Sequence, residues 1–233
     1  EPFTVKADDG VTDLYGVMYK PFDFDPSRKY PVIAWVYPGP QTEAVDTSFN
    51  LDMSTRVNSP AVHLPALAQF GYIVVSVGNR GGHPVRSRAY QDYSYGASFR
   101  DYGLADKKTA LEQLAARQAF IDIDRVGIYG HSGGGFMSTA AMLVYPDFFK
   151  VAVSSAGNHD NNIYNRWWSA RYSGAKEETS DKEETTFKVA LTENPELARN
   201  LKGRLLLATG EIDNNVHPAG TYRMVEALIN AGK

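Results

Sequence analysis

Apolar and polar positions alternate along the chain in blocks that predict short strands separated by helices. Phe3-Thr4-Val5-Lys6 and Leu14-Tyr15-Gly16-Val17-Met18-Tyr19 flank Asp8-Asp9-Gly10, the signature of a hairpin. The run 31–37 (PVIAWVY) is continuously apolar, as in a buried strand, and 72–77 (YIVVSV) reads as the next buried strand. A loop over 38–60 and a short helix over 61–70, ended by Gly71, lie between them. Polar, tyrosine-rich sequence then leads to a helix with Leu104, Lys108, Leu111, Leu114, Ala115 and Gln118 on one stripe. A strand at 125–129 and a helix at 136–145 bracket a glycine-rich turn. The strand 151–154, an aromatic segment 164–172, a strand 204–209 and a helix 217–230 follow. The charged stretch 176–188 reads as the solvated face of a helix. Strands alternating with helices after an antiparallel start predict an α/β fold with a mainly parallel sheet. Chemistry in such sheets collects at the carboxyl ends of the strands, where Tyr37, Gly78, Ser132, Ser155 and Gly210 stand.

Within that frame one turn carries the strongest chemical signal. Gly130-His131-Ser132-Gly133-Gly134-Gly135 sits between the strand 125–129 and the helix 136–145. Gly-x-Ser-x-Gly in this position is a nucleophile elbow. The turn leaves no room for side chains at its flanks, and the serine hydroxyl is pushed out above the sheet. The bland alternative is a glycine-rich turn with an incidental serine. A serine hydroxyl needs a histidine base oriented by a carboxylate, and in this fold the chain order is Ser, then Asp or Glu, then His. Asp213, just past the strand 204–209, is the candidate acid. Glu211 is the weaker one, and Asp213 could instead cap the last helix.

The base is the difficulty. The only histidine after Asp213 is His217, four residues on, close to the start of a helix. His131 adjoins the serine and is expected to pack or bond locally, while His63, His83 and His159 precede the required order. For the oxyanion, the Gly133 amide is the expected first donor. In Tyr37-Pro38-Gly39-Pro40 the prolines have no amide hydrogen, which leaves Gly39 or the Tyr37 hydroxyl as the second. A core tyrosine at a strand end is the competing reading of Tyr37.

Composition narrows the partners. With 233 residues, 43% hydrophobic and 22% charged, the chain is the size of one large globular domain. A net charge of −3 shows no basic bias toward nucleic acid. No run approaches a membrane span, and the absence of cysteine removes thiolate chemistry. His159-Asp160 is a lone pair without metal-ligand spacing, so neither metal nor other cofactor is expected.

The elbow, the acid motif and Tyr37-Pro38-Gly39-Pro40 together resemble the prolyl oligopeptidase family of serine peptidases. The likeness is to the dipeptidyl peptidase IV-like catalytic domain, bacterial type. Asn79-Arg80-Gly81-Gly82, the helix around Asp106, the segment 164–174 and Asp213-Asn214-Asn215-Val216 extend it over nearly the whole chain. The resemblance implies an α/β-hydrolase fold in which Ser132 is the nucleophile, Asp213 the acid, and Tyr37 and Gly133 the oxyanion donors. It further implies that Tyr164 and Trp168 line a pocket for proline, and that Asn215 and Val216 touch the substrate. Ordinary core packing is the alternative for Tyr164, Trp167 and Trp168. The chain departs from the family pattern at Gly78 and Ala170, where acids are common, and at Gly133, which carries no aromatic side chain.

The implied activity is cleavage of peptides after proline or alanine through an acyl-enzyme. The family's β-propeller is expected before Glu1, and its histidine, with a last strand and helix, after Lys233. The 233-residue fragment is therefore expected to be inactive alone, with an open sheet edge. The resemblance also implies a peptide substrate, a possible homodimer and a periplasmic or extracytoplasmic place. An esterase or general acyl hydrolase of the same fold, and a non-catalytic peptide-binding relative, are the alternatives.

Overall fold

A computed structural model describes residues 1–38, 42–45, 60–83, 85–93, 103–172, 174–180, 184–189 and 192–233. Seven strands form its central sheet in the order β1-β2-β4-β3-β5-β6-β9. The hairpin expected from the first residues is β1 (Pro2–Lys6) and β2 (Asp13–Tyr19), paired antiparallel, and β2 continues antiparallel onto β4 (Ile73–Val77). From there the sheet is parallel: β4 to β3 (Tyr30–Trp35), β3 to β5 (Ile121–His131), β5 to β6 (Phe149–Ser155), and β6 to β9 (Arg204–Ala208). The parallel ends bring Tyr37, Gly78, Ser132, Ser155 and Gly210 to one edge of the sheet. Much of the loop expected at 38–60 lies outside the described residues.

Alternation along β3 explains the layers. Val32, Ala34 and Val36 face a core built with Leu104, Leu111 and Leu114 of α3 (Leu104–Arg117) and with Phe136 and Met137 of α4 (Gly133–Val144). Ile33 and Trp35 face the other way, against Leu64 and Ala68 of α1 (Pro60–Ala68). β4 is buried at every position, which is why its sequence is apolar except at Ser76. A short helix, α2 (Arg88–Asp92), precedes α3. The chain closes with α5 (Arg166–Tyr172), a 3-10 helix (Asn194–Asn200) and α6 (Ala219–Asn230). β9 stands at the edge of the sheet, and Val153 and Leu206, paired across β6 and β9, are 45% and 55% exposed. Among the described residues no helix is long and apolar enough to cross a membrane.

Two expectations are corrected. The stretch 176–188 is not a helix face but part of a separate two-stranded hairpin, β7 (Ala175–Thr179) and β8 (Thr185–Val189). Its β-branched Thr179, Thr185 and Thr186 favour extended backbone, and Glu177 pairs with Phe187 across the hairpin. On α3 the stripe is rotated: Asp106 and Lys107 are buried, while Lys108 lies toward the surface, ion-paired with Glu112, and Gln118 is the C-cap.

Candidate active site at the carboxyl edge of the sheet

The elbow forms as its glycines require. Ser132 has φ 58° and ψ −121°, a strained backbone for a residue with a side chain, and caps the amino end of α4. A Cβ on Gly130 would stand 2.5 Å from the Val36 carbonyl oxygen, one on Gly134 2.3 Å from the same oxygen, and one on Gly135 2.4 Å from that of Ser155. Neighbouring strands thus press against the turn from both sides. The Ser132 amide donates to the Ser155 carbonyl at 2.9 Å, and Ser154 Oγ donates to the Gly135 carbonyl at 2.7 Å. These bonds hold the strained residue in place.

Tyr37, two residues past β3, comes to the first turn of α4. Its Cζ lies 3.6 Å from where a Cβ on Gly133 would begin, with Pro38 Cγ at 3.2 Å. The Pro38 carbonyl accepts a 2.9 Å bond from buried Asn79 Nδ2, which anchors this segment to the end of β4. The Gly133 amide opens the helix, where amides have no carbonyl one turn back to bond. Tyr37 and Gly133 are therefore brought together; Gly39 and Pro40 lie outside the described residues.

Asp213 does not cap α6, which begins six residues later with Pro218 as its N-cap. One of its carboxylate oxygens accepts from the amides of Asn215 and Val216, each at 2.9 Å. Those two amides, the Val216 one foremost, hold its carboxyl below the usual carboxylate range, and His131 adds to the effect. Tyr164 is half-buried, and its hydroxyl reaches Asn215 Oδ1 at 3.4 Å. Burial pushes that phenol up, and nearby Tyr37 and Asp213 push it further. Tyr37, Tyr164 and Asp213 thus share one electrostatic neighbourhood beside the elbow.

The aromatic wall is built from Tyr164 and from Trp168 and Tyr172 of α5, which follows it. Tyr164 and Trp168 meet edge to face with ring centroids 5.5 Å apart, and Trp168 meets Tyr172 at 5.2 Å. Trp168 packs on the main core from a partly buried position, whereas Trp167 is 68% exposed and stands apart. Val216 is buried; Glu211 is exposed.

Each of the chain's five histidines is engaged away from Ser132 Oγ. His131 Nδ1 is 3.0 Å from Ser155 Oγ, and His217 Nδ1 accepts from the Ala219 amide at the start of α6. His63 packs edge-on against Trp35 and Tyr129, and His83 Nδ1 accepts from the Val85 amide. His159 is buried, its ring between Asn194 Nδ2 at 3.1 Å and Ser154 Oγ at 3.5 Å, and burial pushes its pKa down to about 4. Among the described residues, no group of three or more histidines, aspartates or glutamates is placed to hold a metal ion.

Local sequence carries little sign of the charged groups packed behind this edge. Arg80 bonds Asp106 through Nε and Nη2, while the Asp106 side chain is fully buried and also accepts the Arg80 amide. Lys107 donates to the Val77 carbonyl, and burial pulls its pKa down to about 8. Glu43 sets its carboxylate against Gly78: a Cβ there would meet Glu43 Oε1 at 2.7 Å. The space that an acid at position 78 would enter is filled by an acid from elsewhere. Glu193 is the other buried carboxyl; a capping pattern with Glu196 was its only mark in the sequence.

Comparison with known proteins agrees with this geometry. Residues 59–233 match the prolyl oligopeptidase family. The chain is 33% identical over 237 residues to human dipeptidyl peptidase 8, covering 100% of this chain and 24% of that protein. It is 29% identical to dipeptidyl aminopeptidase A of Saccharomyces cerevisiae, over 97% of this chain and 23% of that one. The chain spans about a quarter of the length of these curated relatives. Among solved structures, a Bacteroides ovatus protein assigned as a dipeptidyl aminopeptidase IV superposes with a TM-score of 0.84 at 30% identity, covering 100% of this chain and 31% of that one. Porphyromonas gingivalis dipeptidyl peptidase 4 superposes with a TM-score of 0.81 at 26% identity, covering 100% and 30%. The sheet order, the elbow and the family match lead to one conclusion: this chain has an α/β-hydrolase fold and belongs to the prolyl oligopeptidase family.

Proposed function

We propose that the chain is the catalytic domain of a serine peptidase of dipeptidyl peptidase type, which cleaves peptides after proline or alanine. The supporting observation is the convergence, at one sheet edge, of a strained serine, a phenol beside the helix's first amide, and an aromatic wall. In this reading Ser132 Oγ attacks the carbonyl carbon and its proton passes to a histidine. The carbonyl oxygen takes the charge between the Gly133 amide and the Tyr37 hydroxyl. Collapse of the tetrahedral species returns the proton to the leaving amine and leaves the acyl group on Ser132; water then repeats the sequence.

Asp213, held ionised by two backbone amides, orients the histidine and stabilises its cationic form. Tyr164 and Trp168 offer flat apolar faces to a pyrrolidine ring, which has no donor to satisfy. Asn215, bonded to Tyr164, and Val216 complete the wall. An esterase would share the elbow but would have no use for a ring-shaped wall. In this reading the histidine is supplied by the longer parent chain, in keeping with the contacts that the five histidines here make with other groups. A propeller domain that admits peptide ends, and dimer formation, belong to the same reading of the parent protein.

Fluorophosphonate labelling tests the proposal, on this chain and on a longer chain supplying the histidine, each with Ser132→Ala as control. The longer chain should label at Ser132 and cleave a Gly-Pro anilide, and the 233-residue chain should do neither. A folded longer chain that hydrolyses short esters but no X-Pro amide would overturn the peptidase reading in favour of an esterase.

A further inference from the structure

A buried hydrogen-bond chain runs from the helix behind the nucleophile to the helix that carries the aromatic wall. It starts at α4, whose Gly135 and Phe136 carbonyls accept from Ser154 Oγ (2.7 Å) and Asn194 Nδ2 (3.0 Å). The His159 ring lies between those two side chains, and the Asn194 amide donates to the His159 carbonyl at 3.2 Å. Next in sequence, Glu193 accepts through Oε2 from both the amide and Nδ2 of Asn161, at 2.7 and 3.1 Å. The Asn161 carbonyl in turn accepts from Ser169 Oγ at 2.9 Å, one residue after Trp168. Glu193, Asn194, Asn161, His159 and Ser169 are all at least 96% buried.

A carboxyl group is an expensive way to fill such a place. Burial disfavours a polar group unless hydrogen bonds compensate it, and an aliphatic side chain would pack there without that cost. What the carboxyl supplies is one oxygen that takes two donors of the same asparagine, fixing the asparagine's backbone and side chain together. Asn161 opens the segment that leads to Tyr164, and its carbonyl fixes the first turn of α5 through Ser169. The wall has no sheet strand of its own; besides the packing of Trp168 on the core and the Tyr164–Asn215 bond, a buried polar tie to the rest of the fold runs through Glu193.

We propose that Glu193 is a positioning residue for the aromatic pocket, setting the place of Trp168 relative to Ser132 through Asn161 and Ser169. This rests on the proposed function only in naming the pocket's occupant, a prolyl ring; the mechanical link stands without it. The role is one of selectivity. Proline needs the flat wall at its correct distance, whereas alanine at the same position fills little of the pocket and depends on it less.

The test uses this chain labelled with 5-fluorotryptophan, whose three tryptophans give separate fluorine resonances. Trp168→Phe assigns the one that matters, and Trp35 in β3 reports whether the sheet is folded. Glu193→Gln keeps an oxygen that accepts from Asn161 and should leave the Trp168 resonance in place. Glu193→Ala should displace or broaden it without moving that of Trp35. Ser169→Ala cuts the other end of the link, should move Trp168 as well, and decides the matter if Glu193→Ala fails to fold. An unmoved Trp168 in a folded Glu193→Ala or, failing that, in Ser169→Ala would overturn the proposal, as would Gln moving it as far as Ala. The resonance needs no turnover, so this proposal and the peptidase reading can fail separately. In a turnover-competent chain Glu193→Ala should also lower kcat/KM more for proline than for alanine at the cleaved bond. Equal losses would contradict a selective role.

Discussion

The Tyr37 ring covers Gly133 so closely that a methyl group there would stand 3.6 Å from Tyr37 Cζ. The Tyr37 ring and the first residue of α4 are thus neighbours beside Ser132, one delivered by the loop after β3 and the other by the elbow; in the proposed mechanism both donate to the oxyanion. Donors fixed before reaction cost no reorganisation when charge develops, and loss of one typically lowers kcat about 10²–10³-fold. In a turnover-competent chain, Tyr37→Phe should lower kcat within that range while KM and thermal stability stay near wild type. An unchanged kcat would remove Tyr37 from the chemistry and return it to the role of a packed aromatic.

The elbow's glycines differ in what a side chain would strike. At Gly134 a Cβ would meet the Val36 carbonyl oxygen at 2.3 Å, a backbone atom that cannot swing aside. At Gly133 the nearest atom is Pro38 Cγ at 3.2 Å, a contact that a small shift relieves. Overpacking of this kind costs about 1–3 kcal/mol and sometimes more. Gly134→Ala should therefore lower the urea midpoint clearly, and Gly133→Ala should lower it less. The reverse order would mean that the segment beginning at Tyr37, not the strand, is the rigid partner.

What could be read from the sequence follows from how local its cause is. The elbow was legible because a sharp turn demands glycine at fixed spacing. The pair Tyr164 and Trp168 was picked out by the family resemblance; Tyr164 precedes α5, and the two rings meet edge to face. β4 was legible because burial on both faces leaves Ser76 as its one polar residue from Ile73 through Val77, with its hydroxyl bonded to the Ala44 carbonyl. The hairpin at Ala175–Val189 was misread because charge obscured its alternation; an exposed strand carries a residue such as Glu177 as readily as a helix does. The burial of Asp106, Lys107 and Glu193 was not legible, for another reason. Their burial depends on partners distant in sequence, Arg80, the Val77 carbonyl and Asn161, and no local pattern announces a charge that tertiary structure will neutralise.

The Arg80–Asp106 pair makes that dependence measurable. Asp106 is wholly buried and accepts from the Asp8 amide as well as from Arg80, tying the first hairpin to the end of β4. Removing one partner of a buried pair costs about 3–5 kcal/mol, because the remaining charge is left uncompensated. Asp106→Ala should fall near the lower end, since Asp9 still pairs with Arg80 Nη1 at 3.1 Å and Tyr93 lies against its guanidinium. Asp9→Asn should cost much less, that pair being more exposed to water. Chemical denaturation of the two variants would show the contrast; equal costs would mean that Asp106 contributes no more than a surface charge.

Glu193 gives the pH dependence a definite sign. Burial pushes its carboxyl up to about 8 from an ordinary 4.5, against the pull of the Asn161 amide, and the nearby Asp160 and Glu196 add to the rise. Asp160 is itself ion-paired with Arg223 at 2.6 Å, and the neighbouring His159, pushed down to about 4, is neutral above that pH. Between about 4.5 and 8 the folded protein therefore keeps a proton on Glu193 that the unfolded chain has released, so this group makes stability fall as pH rises through that window. Glu193→Gln carries no such proton. Its melting temperature relative to wild type should climb steadily from acid toward pH 8 and level off beyond. His159 acts in the opposite sense, lowering stability as pH falls below its ordinary 6.5, but it does so equally in both proteins and cancels from the difference. Melting curves for the pair from about pH 5 to pH 9 would settle it: a difference that does not change with pH would mean that Glu193 is ionised in the folded protein throughout.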